Sequence, residues 1–501
     1  MKLTDKLRSE NLQSDIVIIG GGAAGLTSAA AAAEAGIKNI IILEKSAHPG
    51  GNGALVGGTF ATESPAQKRL GIKVSSDEVF KAVMAYNKGW TDAKMVRNYI
   101  NKSGDIIRWL EGKGLNFRNV MEFGPTGLSP QVFHMFGYRS AGFIGKKVIE
   151  TLVNSCQDRG VQLFCETTAT KILTDGNGKV TGVLVSEKGK GISISAKGVI
   201  IAAGGFAGSQ DLLSRYFPAH EDVYTTSVSQ NTGDGLRMAE EAGAFIENHF
   251  TLVTYGPHCY QKSESPGTLA SGHTLTLLFR RPDAILVNQE GERFIGEHLY
   301  GIGSPLAANA LSRQSGRIGY VLLDAALMQE IIRKREVLTG LDKDEGDNGA
   351  WLDYLDENFQ RDTVDGRAKI SDSWDEIAGW MGVKPETLKN TIDQYNIFCA
   401  KGYDADFLKD KEYLRPLRMP PYYAVRGYQG FDTTLGGIKI NYRMEVISKK
   451  DSPINGLYAA GDNAGGWASV TYDYTYPGWA SGFAYYSGFT AGQNAAKYVL
   501  Q

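Results

Sequence analysis

The first patterned stretch of the chain is four consecutive apolar residues, Ile16 to Ile19. A short unbroken apolar run bounded by turn residues predicts a strand buried on both faces. Gly20, Gly22 and Gly25 follow at G-x-G-x-x-G spacing, and Ala23 to Ala35 is rich in strong helix formers. A second apolar run, Asn39 to Leu43, predicts another buried strand and ends in Glu44. From Ser75 to Gly114 the pattern is helical, with an acidic first turn around Ser76 and Glu78 and a close at Gly112 and Gly114. Residues 160–206 alternate instead. The turn DGNGK at 175–179 predicts a hairpin there, and VIIAAGGFAG a further strand and glycine turn. Beyond about residue 250 the glycine-loop rhythm gives way to aromatic and charged segments with long helices at 325–338 and 385–402, the second starting at Pro385. The closing stretch holds the strand-turn GLYAAGDNAGG (456–466) and a last helix that begins among Gly478, Ser481 and Gly482.

That order, βαβ, then a meander, then a return strand, predicts an α/β chain. A Rossmann-like dinucleotide-binding domain formed by residues 1–249 and 421–501 is expected to carry an inserted α+β domain at 250–420. The length of 501 residues exceeds one ordinary core, and 42% apolar content suffices to bury more than one. The formal charge of −2 gives no general pull toward nucleic acid. Cys156, Cys165, Cys259 and Cys399 form no C-x-x-C or zinc spacing, so no metal site and no disulfide framework is expected. The first residues lack the apolar core of a signal peptide, and the Ala-rich helix is too short to span a bilayer. A soluble cytoplasmic protein without an integral membrane segment is expected.

Each motif glycine has a separate task. Gly20 permits the tight turn, Gly22 lets backbone approach a pyrophosphate, and Gly25 lets helix pack close to strand. Glu44 stands where an acid accepts hydrogen bonds from ribose hydroxyls. The motif alone leaves NAD and FAD open. The loop at 46–60 has glycines at 50, 51, 53, 57 and 58 around Asn52, the composition of backbone pressed against a flat ligand. Asp234, flanked by glycines, reads as a cap or a ligand to hydroxyls. His134 reads as a structural loop histidine. Tyr138 stands open between structure and site.

The motifs IVIIGGGAAGL, ILEK, GGN, VIIAAGG, TGDG, ILVNQEGERF, TLGG, NGLYAAGD and SGF…AG occur in the order of the fumarate reductase/succinate dehydrogenase flavoprotein family, which this chain resembles over nearly its whole length. The resemblance implies a bipartite FAD domain of the two-dinucleotide-binding type with a capping domain, the substrate lying between flavin and cap. It implies FAD contacts at Gly20, Gly22, Ala24, Gly25, Glu44, Lys45, Gly51, Asn52, Gly57, Gly58, Ala169, Ala203, Gly204, Asp234, Gly461, Asp462, Ser481 and Gly482. The flavin is expected to be non-covalent, since no histidine stands in GALVGG. Electrons are expected from, or to, a separate donor or acceptor.

The family's fumarate enzymes clamp two carboxylates with two histidines and two arginines. Those positions fall near Gly256, near Asp432, at Gly301 and at Tyr476, and none of the four residues is retained. Without fixed cations the desolvation cost of a dicarboxylate is not offset. Tyr476 begins YPGWASG, similar to the YPG segment of the ketosteroid dehydrogenase branch. The resemblance then implies Tyr300 as proton donor or acceptor, Tyr476 with the Ala480 amide as the carbonyl-polarising pair, and Tyr138 as a third member. Gly478, Ala480 and Trp479 are expected beside the substrate. Two departures stand out: four extra residues within SVTYDYTY, and Ala480 in place of the usual glycine. The expected activity is reduction or introduction of a C=C bond next to a carbonyl on a small hydrophobic substrate, such as a 3-ketosteroid-like enone. The alternatives are an enoate reductase gripping a monocarboxylate through Arg280 or Arg281, and a non-redox lyase or hydratase with FAD as a prop.

Overall fold

The computed structural model describes residues 12–121, 130–137, 144–187, 190–220, 223–259, 274–298, 304–334, 350–468, 470–472 and 475–501. The first apolar run forms β1 (Gln13–Ile19), the Ala-rich stretch α1 (Ala23–Glu34), and the second run β2 (Ile40–Leu43). β1 lies parallel to β2, with Ile16 opposite Ile40, and parallel to β3 (Lys190–Ile201), with Val17 opposite Val199. β1 is thus a central strand, and Ile16, Val17 and Ile18 are fully buried. That burial is why the run is continuous rather than alternating. Strands 168–174 and 180–187 add the expected meander beside β3.

The turn between β1 and α1 shows why glycine is required. Gly20 has φ +108°, and a Cβ there would lie 2.3 Å from the Ala202 carbonyl oxygen. At Gly25 a Cβ would lie 1.9 Å from the Gly20 carbonyl oxygen. Gly25→Ala is therefore expected to push α1 off the sheet at a cost above about 3 kcal/mol. It should abolish soluble expression or lower the melting midpoint by several degrees. A variant that melts with the parent would contradict the packing argument.

A second, six-stranded sheet is built around β5 (Tyr422–Ile438), with β4 (Ile246–His258) and strands 318–323 and 368–371 antiparallel to it. Its two faces follow the period of two. Val321, Leu323 and Val425 pack into one core, under helices 325–334 and 355–364. Tyr320, Leu322 and Ala424 pack into another, under helices 374–381 and 385–401. The far ends of β4 and β5 belong to the first domain's core through Phe250, Leu252, Phe431 and Leu435. The expected boundary at 249/250 thus falls inside β4, and Tyr224–Thr225, expected in the first domain, joins the second sheet. Arg293 of the ERF motif is committed to holding this second unit together. It bonds Glu297 and Asp404 at 2.8 Å each, and Lys409 reaches Glu297 at 2.9 Å, all four side chains buried.

β6 (Pro453–Ala459) returns the chain to the first sheet parallel to β3. The last helix, α2 (Trp479–Leu500), then crosses α1 through a line of small residues. Cβ atoms at Gly488 and Gly492 would lie 2.4 and 2.3 Å from carbonyl oxygens of Ala24 and Ser28. The helices expected at 75–114 are Ser76–Tyr86 and Ala93–Glu111, capped by Ser75 and Asp92. His134, expected in a loop, sits in a short strand, Phe133–Met135, fully buried. Its ring bonds Ser64 Oγ and the Val132 carbonyl, and burial pulls the imidazole down to about 4. Its role is structural. Among the described residues no helix is long and apolar enough to cross a membrane.

Candidate functional site

A cavity of about 680 Å³ runs from the β1–α1 turn to the second sheet. Its floor is the first sheet's carboxyl edge: Gly20, Gly22 and Ala24, then Glu44 and Lys45 after β2, then Ala203 and Gly204 after β3. This is the edge at which open α/β sheets bind ligands. Glu44 is held by two backbone amides, Gly21 N–H donating to Oε2 and Ser46 N–H to Oε1, each at 2.8 Å. A carboxylate has about four acceptor sites, so it retains capacity for ribose hydroxyls. Lys45 Nζ donates to Asp234 and Thr232, each at 2.6 Å, so Asp234 stands at the start of its helix as the partner of Lys45.

The glycine loop forms the next wall through Gly51, Asn52, Gly57 and Gly58. The Asn52 side chain is engaged by protein groups. Its Oδ1 accepts from Val228 N–H at 2.9 Å and its Nδ2 donates to Ser227 Oγ at 3.1 Å. It fixes the loop against 227–228 and lines the cavity with the same amide. Ala169, Gly461, Asp462, Gly478, Ala480 and Ser481 complete the expected set on the wall. Gly25 and Gly482 are absent from the lining residues. A Cβ at Gly482 would lie 2.2 Å from the Tyr99 hydroxyl, so that glycine serves packing.

Two features test whether this cavity suits FAD. Asp462 is half-buried on the wall, with the Thr433 hydroxyl donating at 2.8 Å. Burial pushes its carboxyl up to about 6, and Thr433 offsets only part of the rise. The Tyr485 hydroxyl, also on the wall, is buried without a hydrogen-bond partner among the described residues. A carboxylate short of donors and an orphaned phenol fit a polyhydroxylated, heteroaromatic occupant. The glycine turn at the start of α1 suits its pyrophosphate. The residues present fit the cofactor.

The expected substrate groups divide. Tyr300 and Tyr138 lie outside the described residues. Tyr476 is buried with its ring edge-on to Phe60, centroids 6.2 Å apart. It lines a separate small void with Trp479, not the large cavity. Trp479 packs on Tyr99 and Phe60 at 4.5 and 4.9 Å, beneath the site rather than in its wall. Two phenols line the cavity among the described residues, Tyr485 and Tyr472, and the Tyr472 oxygen accepts the Ala480 amide at 2.8 Å. Tyr472 thus takes the amide that was expected to polarise a carbonyl with Tyr476. The sequence signal at this place is the four extra residues within SVTYDYTY, the segment that holds Tyr472.

The charges are also distinctive. The described wall carries Glu44, Asp234, Asp432 and Asp462 against Lys45 and His48, and no arginine. Arg281 is 3% exposed and bound to Asp283 through Nε and Nη2, so its charge is balanced away from the cavity. Arg280 closes a short 3₁₀ helix outside the lining residues.

Comparison with known proteins agrees with this geometry. The family model described as FAD binding domain matches residues 15–478. A vinyl phenol reductase of Lactiplantibacillus plantarum is 29% identical, over 97% of both chains. A fumarate reductase (cytochrome) of Shewanella frigidimarina is 28% identical, over 90% of this chain and 72% of that one. The solved 3-ketosteroid Δ4-(5α)-dehydrogenase of Rhodococcus jostii shares the fold at a TM-score of 0.73, with 22% identity and 99% of each chain covered. The chain belongs to the FAD binding domain family and is an FAD-dependent oxidoreductase.

Proposed function

We propose that the protein reduces a carbon–carbon double bond in an uncharged, conjugated substrate, with Tyr472 delivering the proton. The observation that carries this reading is that no arginine lines the cavity among the described residues, while its lysine, Lys45, is bonded to Asp234 on the cofactor side. A dicarboxylate bound there would be desolvated without a balancing cation. The full-length relative named for a vinyl phenol, an uncharged aryl alkene, supports the same substrate class.

Reduced FAD held by the residues of the glycine turns, Glu44 and Asp462 would supply the hydride for one alkene carbon. The π electrons move toward the conjugated group, and the other carbon takes a proton from the Tyr472 hydroxyl. Solvent then returns a proton to the phenoxide. The chain's part is to fix that phenol. The Ala480 amide holds its oxygen at the first turn of α2, and the Tyr86 hydroxyl donates to the Tyr472 carbonyl at 3.3 Å. Tyr300 was expected in this role and lies outside the described residues. An enone remains within the proposed class, although the Tyr476–Ala480 pair expected to grip its carbonyl is not assembled. The enoate alternative, which named Arg280 or Arg281, is the less favoured reading, since Arg281 is paired with Asp283 and Arg280 is not among the described lining residues. Flavin attachment is proposed to be non-covalent, with electrons arriving from a separate donor.

The test is anaerobic. Enzyme reduced with dithionite is mixed with uncharged enones, vinyl phenols and fumarate, and flavin absorbance is followed together with the saturated product. Reoxidation by the uncharged alkenes is expected. Product formation without any flavin change would contradict the redox reading.

A further inference from the structure

An ion pair crosses the cofactor cavity. Lys45 follows β2 and Asp234 opens the helix Asp234–Glu241, and both line the same cavity as the glycine turn. In the first sheet β2 and β3 flank β1 on its two sides. A Cβ at Gly235 would lie 2.7 Å from the Ile201 side chain, so Asp234 stands at the end of β3. Neighbouring strands lie about 4.8 Å apart, so the two anchors stand about 10 Å apart, one on each side of the Gly20 turn. The Lys45 side chain closes that gap, with Nζ 2.6 Å from both Asp234 Oδ2 and Thr232 Oγ1.

The two ends differ in freedom. The Thr232 hydroxyl donates to Asp234 Oδ1 at 2.9 Å, and the Arg237 guanidinium donates to the Thr232 carbonyl at 2.6 Å. The acid is therefore held in place by its own helix turn. Lys45 reaches it on a flexible four-carbon stem. The two side chains remain 26% and 32% exposed, so water can reach the pair while the cavity is empty.

We propose that this pair is a strap over the adenosine half of bound FAD. Glu44, which keeps acceptor capacity for ribose hydroxyls, immediately precedes Lys45, and Thr167 and Ala169 line the same end of the cavity. The lysine swings away for that half to enter and closes again once it is seated. Covered by the cofactor, the pair loses water and its attraction strengthens. The strap therefore slows release more than it slows entry. The inference concerns the cofactor alone and stands whichever substrate the enzyme takes.

The experiment measures FAD release from the holoenzyme, diluted into phosphodiesterase so that freed FAD becomes the brighter FMN. Lys45→Met and Asp234→Asn should each release FAD about 3- to 10-fold faster, and the double variant no faster than either. Lys45→Arg, which keeps the charge and the reach, should release it near the parent rate. High salt should speed release from the parent and leave the Lys45→Met variant nearly unchanged. ADP, which carries the adenosine half alone, should bind both single variants more weakly by calorimetry. Melting of each apoprotein near the parent's shows that it is folded, and the salt dependence of the parent reads the strap without any substitution. The sign in Asp234→Asn is decisive. A lysine that leaves Asp234 to grip the pyrophosphate would be freed by that change, and release would slow. Slower release there, an unchanged rate in either single variant, additive effects in the double variant, or ADP binding as in the parent would overturn the proposal.

Discussion

Tyr472→Phe is expected to lower turnover by about 100-fold or more while leaving bound FAD and substrate affinity nearly unchanged. The ring is buried and its oxygen is tied to the Ala480 amide, so the phenylalanine variant keeps the ring's shape and loses the transferable proton together with the acceptor of that amide. An effect on kcat with little on KM is the mark of a group that acts in the transition state. Tyr476→Phe is the control. Its ring sits against Phe60 and in the small void beside Trp479, and the change should leave turnover within about threefold. Steady-state kinetics on both variants with one uncharged alkene decides the matter. Full activity in Tyr472→Phe, or a larger loss in Tyr476→Phe, would return the proton transfer to another tyrosine.

Asp462→Asn is expected to move two measurable quantities in opposite directions. In the cofactor-free protein the Asp462 carboxyl is raised by burial to about 6, above its value in an unfolded chain. Between those two values the folded state binds more protons than the unfolded one. Stability contributed by the protonated acid is therefore present on the acid side and lost as pH rises through about 6. At pH 7.5 the burial of this charge costs about 3 kcal/mol. Asparagine removes that charge and can still accept from Thr433, so the apoprotein variant should melt higher at pH 7.5 and show a flatter pH dependence between about 4 and 6. FAD affinity should fall by about 10- to 100-fold, because hydroxyl donors on the cofactor lose a charged acceptor. Melting of the apoprotein and titration with FAD read the two effects. A variant that melts lower and binds FAD as before would contradict both the buried charge and its use.

The elements read from sequence were those whose signal is local. The run Ile16–Ile19, the spaced glycines and the Ala-rich helix are contiguous, and each residue's requirement can be stated from its immediate neighbours. The cofactor wall followed from the same turns, since Gly20, Glu44, Ala203 and Asp462 all sit at the ends of parallel strands. The second sheet was not legible in this way. β5 begins in one core and ends in another, so its burial follows no period of two over its whole length. The choice between Tyr472 and Tyr476 depended on how the chain turns into α2 at Gly478, whose φ is +78°. No spacing rule reports that turn. Asp432 was visible only as the place of a missing histidine. Its place on the cavity wall depends on where β5 runs, which no local spacing reports.

These details converge on one claim: the cavity accepts its alkene uncharged. The direct measurement is the rate at which reduced enzyme is reoxidised by dimethyl fumarate and by fumarate, which share the alkene and differ in two charges. A cavity with no arginine among its described lining residues should favour the ester by about 100-fold or more in kcat/KM. Faster reoxidation by fumarate would contradict the account.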